Sequence, residues 1–276
     1  MNCKKGLRGY CKMKTIITTS HKPDEQSLLL AENAALSLKA QVVPRNRLSL
    51  ERLRKEYTAD IILIIANNEI KIHTPAGEYF FHPSMSVPRL KALRQGNNDH
   101  MVEAMSLNPG DRVLDCTLGL GADAIVAAFA VGQTGSVVGI EYSPELAYVV
   151  QQGLQNYRTE SAVLREATAR IRVFCGDCYN YLLTQPDNSF DIVYFDPMFR
   201  YPREKSSSMH PVRGIVNSKP LDIRMVNEAV RVASKRVVMK ENSFSGEFYR
   251  LGFPRVVGGR YSSVAFGVID KKEAGI

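Results

Sequence analysis

The run Asp191-Ile-Val-Tyr-Phe-Asp196-Pro-Met-Phe199 has buried-strand character and ends in an acid, a strand-breaking proline and an aromatic ring. That set suits one kind of chemistry. An exocyclic amine on a nucleobase is a poor nucleophile because its lone pair is delocalised into the ring, so an enzyme that alkylates it must position the nitrogen and draw its protons toward acceptors. The Asp196 carboxylate and the Pro197 carbonyl supply two acceptors, Pro197 fixes the turn that aims them, and Phe199 offers a face for a base lifted from its stack. Alone, Asp-Pro reads as an ordinary strand end with a turn proline; its weight comes from its place in the chain.

It falls on the fourth strand after a glycine loop. Val113-Leu-Asp-Cys-Thr-Leu-Gly-Leu-Gly-Ala-Asp-Ala124 runs from a strand through a glycine turn into a helix. Gly119 and Gly121 let the backbone turn sharply and approach a nucleotide-like ligand, and the following helix turns its free N–H groups toward the site. Gly119-x-Gly121-x-x-Ala124, with Glu141 about twenty residues on, also satisfies a dinucleotide-binding fingerprint, so a dehydrogenase competes. Asp115 directs the choice toward S-adenosylmethionine, because a carboxylate just before the turn attracts the ammonium of a methionine moiety and repels a pyrophosphate. Glu141, read as a surface-facing acid at a strand end, can accept both ribose hydroxyls, and Tyr142 can stack on adenine; neither separates the two cofactors. Asp177, in Cys175-Gly-Asp177-Cys178, stands where the third strand of such a sheet meets an adenine amino group. The same four residues spell a Cys-x-x-Cys pair, a zinc or thiol-redox pattern, but only Cys3 and Cys11 are left to complete four ligands, and no thioredoxin-like start accompanies it.

The elements that must carry these residues follow from periodicity. Residues 1–13 are a basic tail without periodicity, expected to be disordered. Residues 14–98 read as a small α/β domain and linker: a strand at 13–20, helices over 24–40 and 49–57, a short strand at Val42-Val43, a buried strand at 61–66 and an alternating one at 69–73. From 83 to 98 the chain is polar and basic, punctuated by Pro88 and Gly96, as a linker or functional loop would be. Residues 99–276 alternate as helix 99–106, strand 112–116, helix 122–131, strand 136–141 and helix 144–156. Strands near 171–175 and 190–195, a helix at 221–233, a strand at 235–240 and a strand pair near 254–269 follow. This alternation builds a parallel sheet flanked by helices, and such sheets bind ligands beyond the carboxyl ends of their strands, where Asp115, Glu141, Asp177 and Asp196 all lie.

Composition bounds the rest. Of 276 residues, 45% are hydrophobic and 23% charged, which excludes disordered and fibrous classes. No apolar run reaches the length of a membrane span and no secretory signal opens the chain, so the sequence reads as cytoplasmic, with no membrane partner. Five cysteines are too few for a disulfide scaffold of this size. A net charge of +8 suits a polyanionic partner, with Lys4, Lys5, Arg8, Lys12 and Lys14 crowding the start and Arg200, Arg203, Lys205, Arg213, Lys219 and Arg224 crowding one later stretch.

The run from Asp115 to Ala124, the Asp196-Pro-Met-Phe199 tetrapeptide with its basic, serine-containing loop, Ala233-Ser-Lys-Arg-Val-Val-Met-Lys240, and Gly259-Arg-Tyr261 together resemble the RsmJ family of small-subunit ribosomal RNA guanine-N2 methyltransferases. The similarity extends loosely through residues 14–100. It implies a Rossmann-like, seven-stranded class I methyltransferase sheet with a small N-terminal α/β domain. It also implies S-adenosylmethionine binding by Ala122, Asp123, Glu141, Tyr142, Asp177, Cys178 and Asp196, and guanine in small-subunit ribosomal RNA, or in its ribosomal particle, as substrate. The chain departs from the family pattern at Ala122 and Tyr142, where arginines are familiar, and at Asp177-Cys178, where a serine pair is. Lys205, Arg213, Lys235, Arg236 and Lys240 suit phosphate contacts. Three rivals remain: an adenine-N6 or cytosine-N4 methyltransferase using the same acid-Pro-x-aromatic logic, a non-catalytic RNA-binding module on the same fold, and a protein or small-molecule methyltransferase.

Overall fold

The computed structural model describes residues 13–67, 69–197, 210–212, 214–216, 219–258 and 262–271. They fall into two compact units, one running to Phe80 and including His210–Val212, the other taking the rest from Phe81 onward. Among the described residues no helix is long and apolar enough to cross a membrane.

The first unit contains β1 (Thr15–Thr19), α1 (Glu25–Leu38), β2 (Gln41–Val42), α2 (Leu50–Tyr57), β3 (Ile61–Ala66), β4 (Glu69–Thr74) and β5 (Gly77–Phe80). Its sheet runs β2-β1-β3-β4-β5, parallel on the β2 side of β3 and antiparallel beyond. The apolar run Ile-Ile-Leu-Ile-Ile-Ala takes the centre because only a strand with neighbours on both edges buries it so fully. Asp24 and Ser49 cap the two helices, accepting the N–H groups of Ser27 (2.7 Å) and Arg52 (3.1 Å).

The second unit contains α3 (Val87–Arg94), α4 (His100–Met105), β6 (Arg112–Asp115), α5 (Ala122–Ala130), β7 (Ser136–Glu141), α6 (Pro144–Asn156), α7 (Ala162–Ala169), β8 (Ile171–Cys175), α8 (Cys178–Thr184), β9 (Phe190–Phe195), α9 (Ile223–Val232), β10 (Ala233–Asn242), α10 (Glu247–Arg250), β11 (Arg255–Val257) and β12 (Val264–Asp270). The stretch 83–98, read as a linker of the small domain, carries α3 and belongs to this second unit. Pro88 sits in the first turn of α3, where a missing N–H costs nothing, and Gly96 follows its end at φ 79°. The same two residues punctuate a helix instead of breaking a loop.

The second sheet is seven-stranded, in the order β11-β12-β10-β9-β6-β7-β8, with β12 antiparallel to both neighbours and the other pairings parallel. This is the Rossmann-like class I methyltransferase arrangement. From β6 the chain winds one way through β7 and β8, then returns to lay β9 on the other edge of β6. The carboxyl ends of β6 and β9 therefore flank the switch point, the crevice where open α/β sheets hold ligands. Beneath it Leu114, Val193, Phe195, Val237 and Met239 join one buried core.

Candidate active site

The loop after β6 is made by two left-handed glycines, Gly119 at φ 51° and Gly121 at φ 79°, a region where a side chain is strained. The neighbouring strand makes room for it: a Cβ on Gly139 of β7 would lie 2.5 Å from Leu118 Cδ1. Glu141, at the end of β7, is only 6% exposed, because its carboxylate clamps the loop in place of facing solvent. Gly119 N–H donates to its Oε2 (3.0 Å) and Ser143 N–H to its Oε1 (2.8 Å). Burial pushes its pKa up, and these backbone N–H groups hold it down.

At the end of β6, Asp115 is 2% exposed. Its Oδ1 accepts the Thr117 N–H at 3.0 Å. Burial pushes its pKa up to about 8; the Thr117 N–H opposes this, while the Asp123 and Asp196 charges add to it. Among the described residues no cation is in contact with Asp115, although the Lys240 charge acts on it from farther off.

The cation on hand is committed elsewhere. β9 and β10 pair in parallel with Met239 opposite Phe195, so the next residues, Lys240 and Asp196, stand side by side. The Lys240 ammonium donates to Asp196 Oδ2 (2.8 Å) and to Asp123 Oδ2 (3.0 Å). Asp123 also accepts the Tyr194 hydroxyl (2.8 Å) and the Arg89 guanidinium. Arg89, from α3, binds both oxygens of Asp99 as well (2.6 and 2.8 Å). The two carboxylates gripped by Lys240 diverge. Burial raises both, but Lys240 and Arg89 together bring Asp123 well below the usual carboxylate range, whereas Asp196, facing Lys240 and the Asp123 charge, is pushed up to about 6. Burial would lower the Lys240 ammonium; Asp196 and Asp123 outweigh it and hold it above its ordinary value. The Thr117 hydroxyl accepts the Asp196 N–H at 2.5 Å, tying the end of β9 to the loop after β6. The Asp196 side chain remains 28% exposed, open enough to accept a proton from outside the protein.

The sequence-derived residues thus gather unevenly. Asp115, Gly119, Gly121, Ala122, Asp123, Glu141 and Asp196 surround the two strand ends and the glycine loop. The Ala122 carbonyl, in the first turn of α5, accepts the Ser86 hydroxyl (3.1 Å). Pro197 follows directly on Asp196, and half-buried Tyr142 on Glu141. Asp177 lies past β8 as the cap of α8, accepting the Asn180 N–H (3.0 Å), with half-buried Cys178 next. Phe199, Arg200, Arg203, Lys205 and Arg213 lie outside the described residues. Three cations read as phosphate contacts have internal partners: Lys240 as above, Lys235 on Asp111, and Arg236 on Asp270 and the Ala104 carbonyl. Arg89, Tyr194 and Thr117 went unread. Strand alternation could have found Tyr194, since residues 194 and 196 share a face of β9; Arg89 gave no local signal.

The site fits S-adenosylmethionine. A Cβ on Gly119 would meet nothing nearer than 3.7 Å, leaving an open cradle, Glu141 keeps a lone pair beyond its backbone bonds, and among the described residues no cation contacts buried Asp115, a place that an ammonium can fill. A family model described as putative SAM-dependent methyltransferase matches residues 52–247. The chain belongs to this family. The methyltransferase is 40% identical over 256 residues to an uncharacterized protein, YpiP, of Bacillus subtilis (strain 168), covering 92% of the chain and 99% of YpiP. It is 34% identical over 158 residues to ribosomal RNA small subunit methyltransferase J of Dechloromonas aromatica (strain RCB), covering 54% of the chain and 62% of that protein. With the same enzyme of Laribacter hongkongensis (strain HLHK9) it shares 33% identity over 150 residues, 52% of each chain. The methyltransferase thus spans between half and two thirds of the length of these two ribosomal RNA enzymes. Among solved structures, the SAM-dependent methyltransferase NGO1261 of Neisseria gonorrhoeae shares its fold, with a TM-score of 0.64 at 18% identity over 93% of this chain and 96% of that one. The cofactor is S-adenosylmethionine.

Proposed function

We propose that this methyltransferase transfers a methyl group to an exocyclic amine of an RNA base, guanine N2 in small-subunit ribosomal RNA. The observation that carries this reading is a partly exposed carboxylate, Asp196, at the switch point beside the cofactor crevice, followed at once by Pro197 and gripped from behind by Lys240. Similarity to the two ribosomal RNA small subunit methyltransferases J named above supports the choice of ribosomal RNA, and the motif resemblance read from the sequence points to guanine.

Bound S-adenosylmethionine supplies a methyl group made electrophilic by its sulfonium. Asp115 would hold the ammonium of the methionine moiety, Glu141 the ribose hydroxyls, and Tyr142, Asp177 and Cys178 the adenine. The Asp196 carboxylate and Pro197 carbonyl accept the two N–H groups of the target amine, aiming its lone pair. As that nitrogen becomes cationic, Asp196 takes the proton it sheds, and a carboxylate with a pKa near 6 is suited to do so at neutral pH. Asp123, its carboxylate filled by Lys240, Arg89 and Tyr194, acts through Lys240 and not on the cofactor.

The test is mass spectrometry of ribosomal RNA nucleosides from cells with and without the gene. Loss of N2-methylguanosine from small-subunit RNA is expected. Loss of N6-methyladenosine or N4-methylcytidine would move the same site to another base, and an unchanged RNA profile would refute the reading.

A further inference from the structure

Four large aromatic side chains stand exposed among the described residues, and the two most exposed belong to one short segment: Phe244 at 76% and Tyr249 at 93%. Exposure alone means little, since Leu36 of the first unit is 80% exposed as well. Position is what distinguishes this segment. β10 carries Lys240 against Asp196 and ends at Asn242; Phe244 follows in a turn closed by the Ser245 N–H on the Asn242 carbonyl (2.9 Å). Four residues of chain keep the Phe244 Cα within about 14 Å of that of Lys240. Next, α10 lies against the catalytic turn, for Glu247 and Leu251 line one small cavity with Pro197 and Met239. Phe248 anchors α10, buried against Gly267, where a Cβ would lie 2.6 Å from its ring. The Arg250 guanidinium binds Glu247 and the Leu221 carbonyl (2.7 Å). Tyr249, between these anchors, is held outward and adds nearly nothing to the core.

We infer that Phe244 and Tyr249 form a stacking rim for unpaired RNA nucleotides flanking the one that enters the site. A segment presenting two bare rings beyond the end of β10, beside the turn that carries Asp196 and Pro197, matches single-stranded nucleic acid, whose bases stack on aromatic faces, and the net charge of +8 over the whole sequence suits its phosphates. A duplex, with its bases already stacked, has no use for these rings. The inference rests on the RNA reading above and names the surface by which that substrate is gripped.

Binding of a labelled single-stranded oligoribonucleotide, its duplex form and transcribed small-subunit ribosomal RNA is compared for the native protein, Phe244→Ala, Tyr249→Ala, the double variant, and Phe174→Ala as an exposed aromatic control elsewhere. Each rim substitution is expected to weaken single-strand and ribosomal RNA binding about tenfold, and the pair more, with duplex binding, S-adenosylmethionine affinity and thermal midpoint unchanged. Tyr249→Phe, which keeps the ring, is expected to bind as the native protein does. Native-like RNA binding by the double variant would overturn the rim while leaving the RNA reading intact; failure of the native protein to bind or methylate any RNA would overturn both. If the double variant fails only on assembled ribosomal particles and binds free RNA normally, the rim meets protein, and the inference is equally overturned.

Discussion

Replacing Lys240 with methionine removes the only cation that touches Asp196 among the described residues while filling nearly the same space. Asp196 has a pKa near 6 with that ammonium 2.8 Å away. An opposite charge in contact depresses a carboxylate by about 1 to 3 units, so its loss should carry Asp196 to roughly 7 to 9. Methyl transfer needs the carboxylate ionised, hence activity climbs as pH rises through this pKa, and raising the pKa moves the acid limb upward. At pH 7 the ionised fraction falls from about nine tenths to between about one half and one hundredth. The rate should drop about 2- to 100-fold there and recover as the pH is raised. The fold should survive, because Asp123 keeps Arg89 and Tyr194 and the cluster is partly open to solvent. The assay is the pH profile of kcat at saturating cofactor and RNA for native protein, Lys240→Met and Lys240→Arg, the last retaining the charge and a near-native limb. If the methionine variant is slower by one constant factor at every pH, with its limb where the native limb stands, Lys240 does not tune Asp196.

Because Asp115, with a pKa near 8, is mostly protonated at pH 7 and must ionise to receive an ammonium, S-adenosylmethionine affinity should rise by close to tenfold per pH unit between pH 6 and 7.5. Calorimetry in buffers of different ionisation heat should then record about one proton released per cofactor at pH 7; no release would exclude this pairing. Glu141→Ala should weaken the cofactor by about 1.5 to 3 kcal/mol through lost ribose hydrogen bonds. It should also lower the thermal midpoint of the cofactor-free protein by several degrees, since the Gly119 and Ser143 N–H groups lose their acceptor; a surface-facing acid, as read from the sequence, would leave the midpoint still.

The alternation of buried runs and amphipathic helices made the second sheet legible, because each parallel strand needs a crossover and each crossover prints a change of period. Acids at four strand ends were legible for the same reason. What periodicity could not carry is register: nothing local to Lys240 says that it faces Asp196, since that follows from pairing residues 44 apart in sequence. Arg89 was hidden differently, in a helix whose Pro88 and Gly96 look like loop punctuation until they are seen to stand at its two ends. The four-residue α10 is too short to print a period, and α7 and α8 were passed over as well. Lys235, Arg236 and Lys240 were read as phosphate contacts because a cation's partner is a tertiary fact.

The role of Asp196 in the chemical step is tested most directly by single-turnover methylation of small-subunit ribosomal RNA, with cofactor and RNA saturating, comparing the native protein with Asp196→Ala. An acceptor that matters mainly as the amine becomes cationic should cost on the order of a hundredfold or more in rate on removal, with little change in cofactor or RNA affinity. Methylation by Asp196→Ala at the native rate would contradict the assignment of this site.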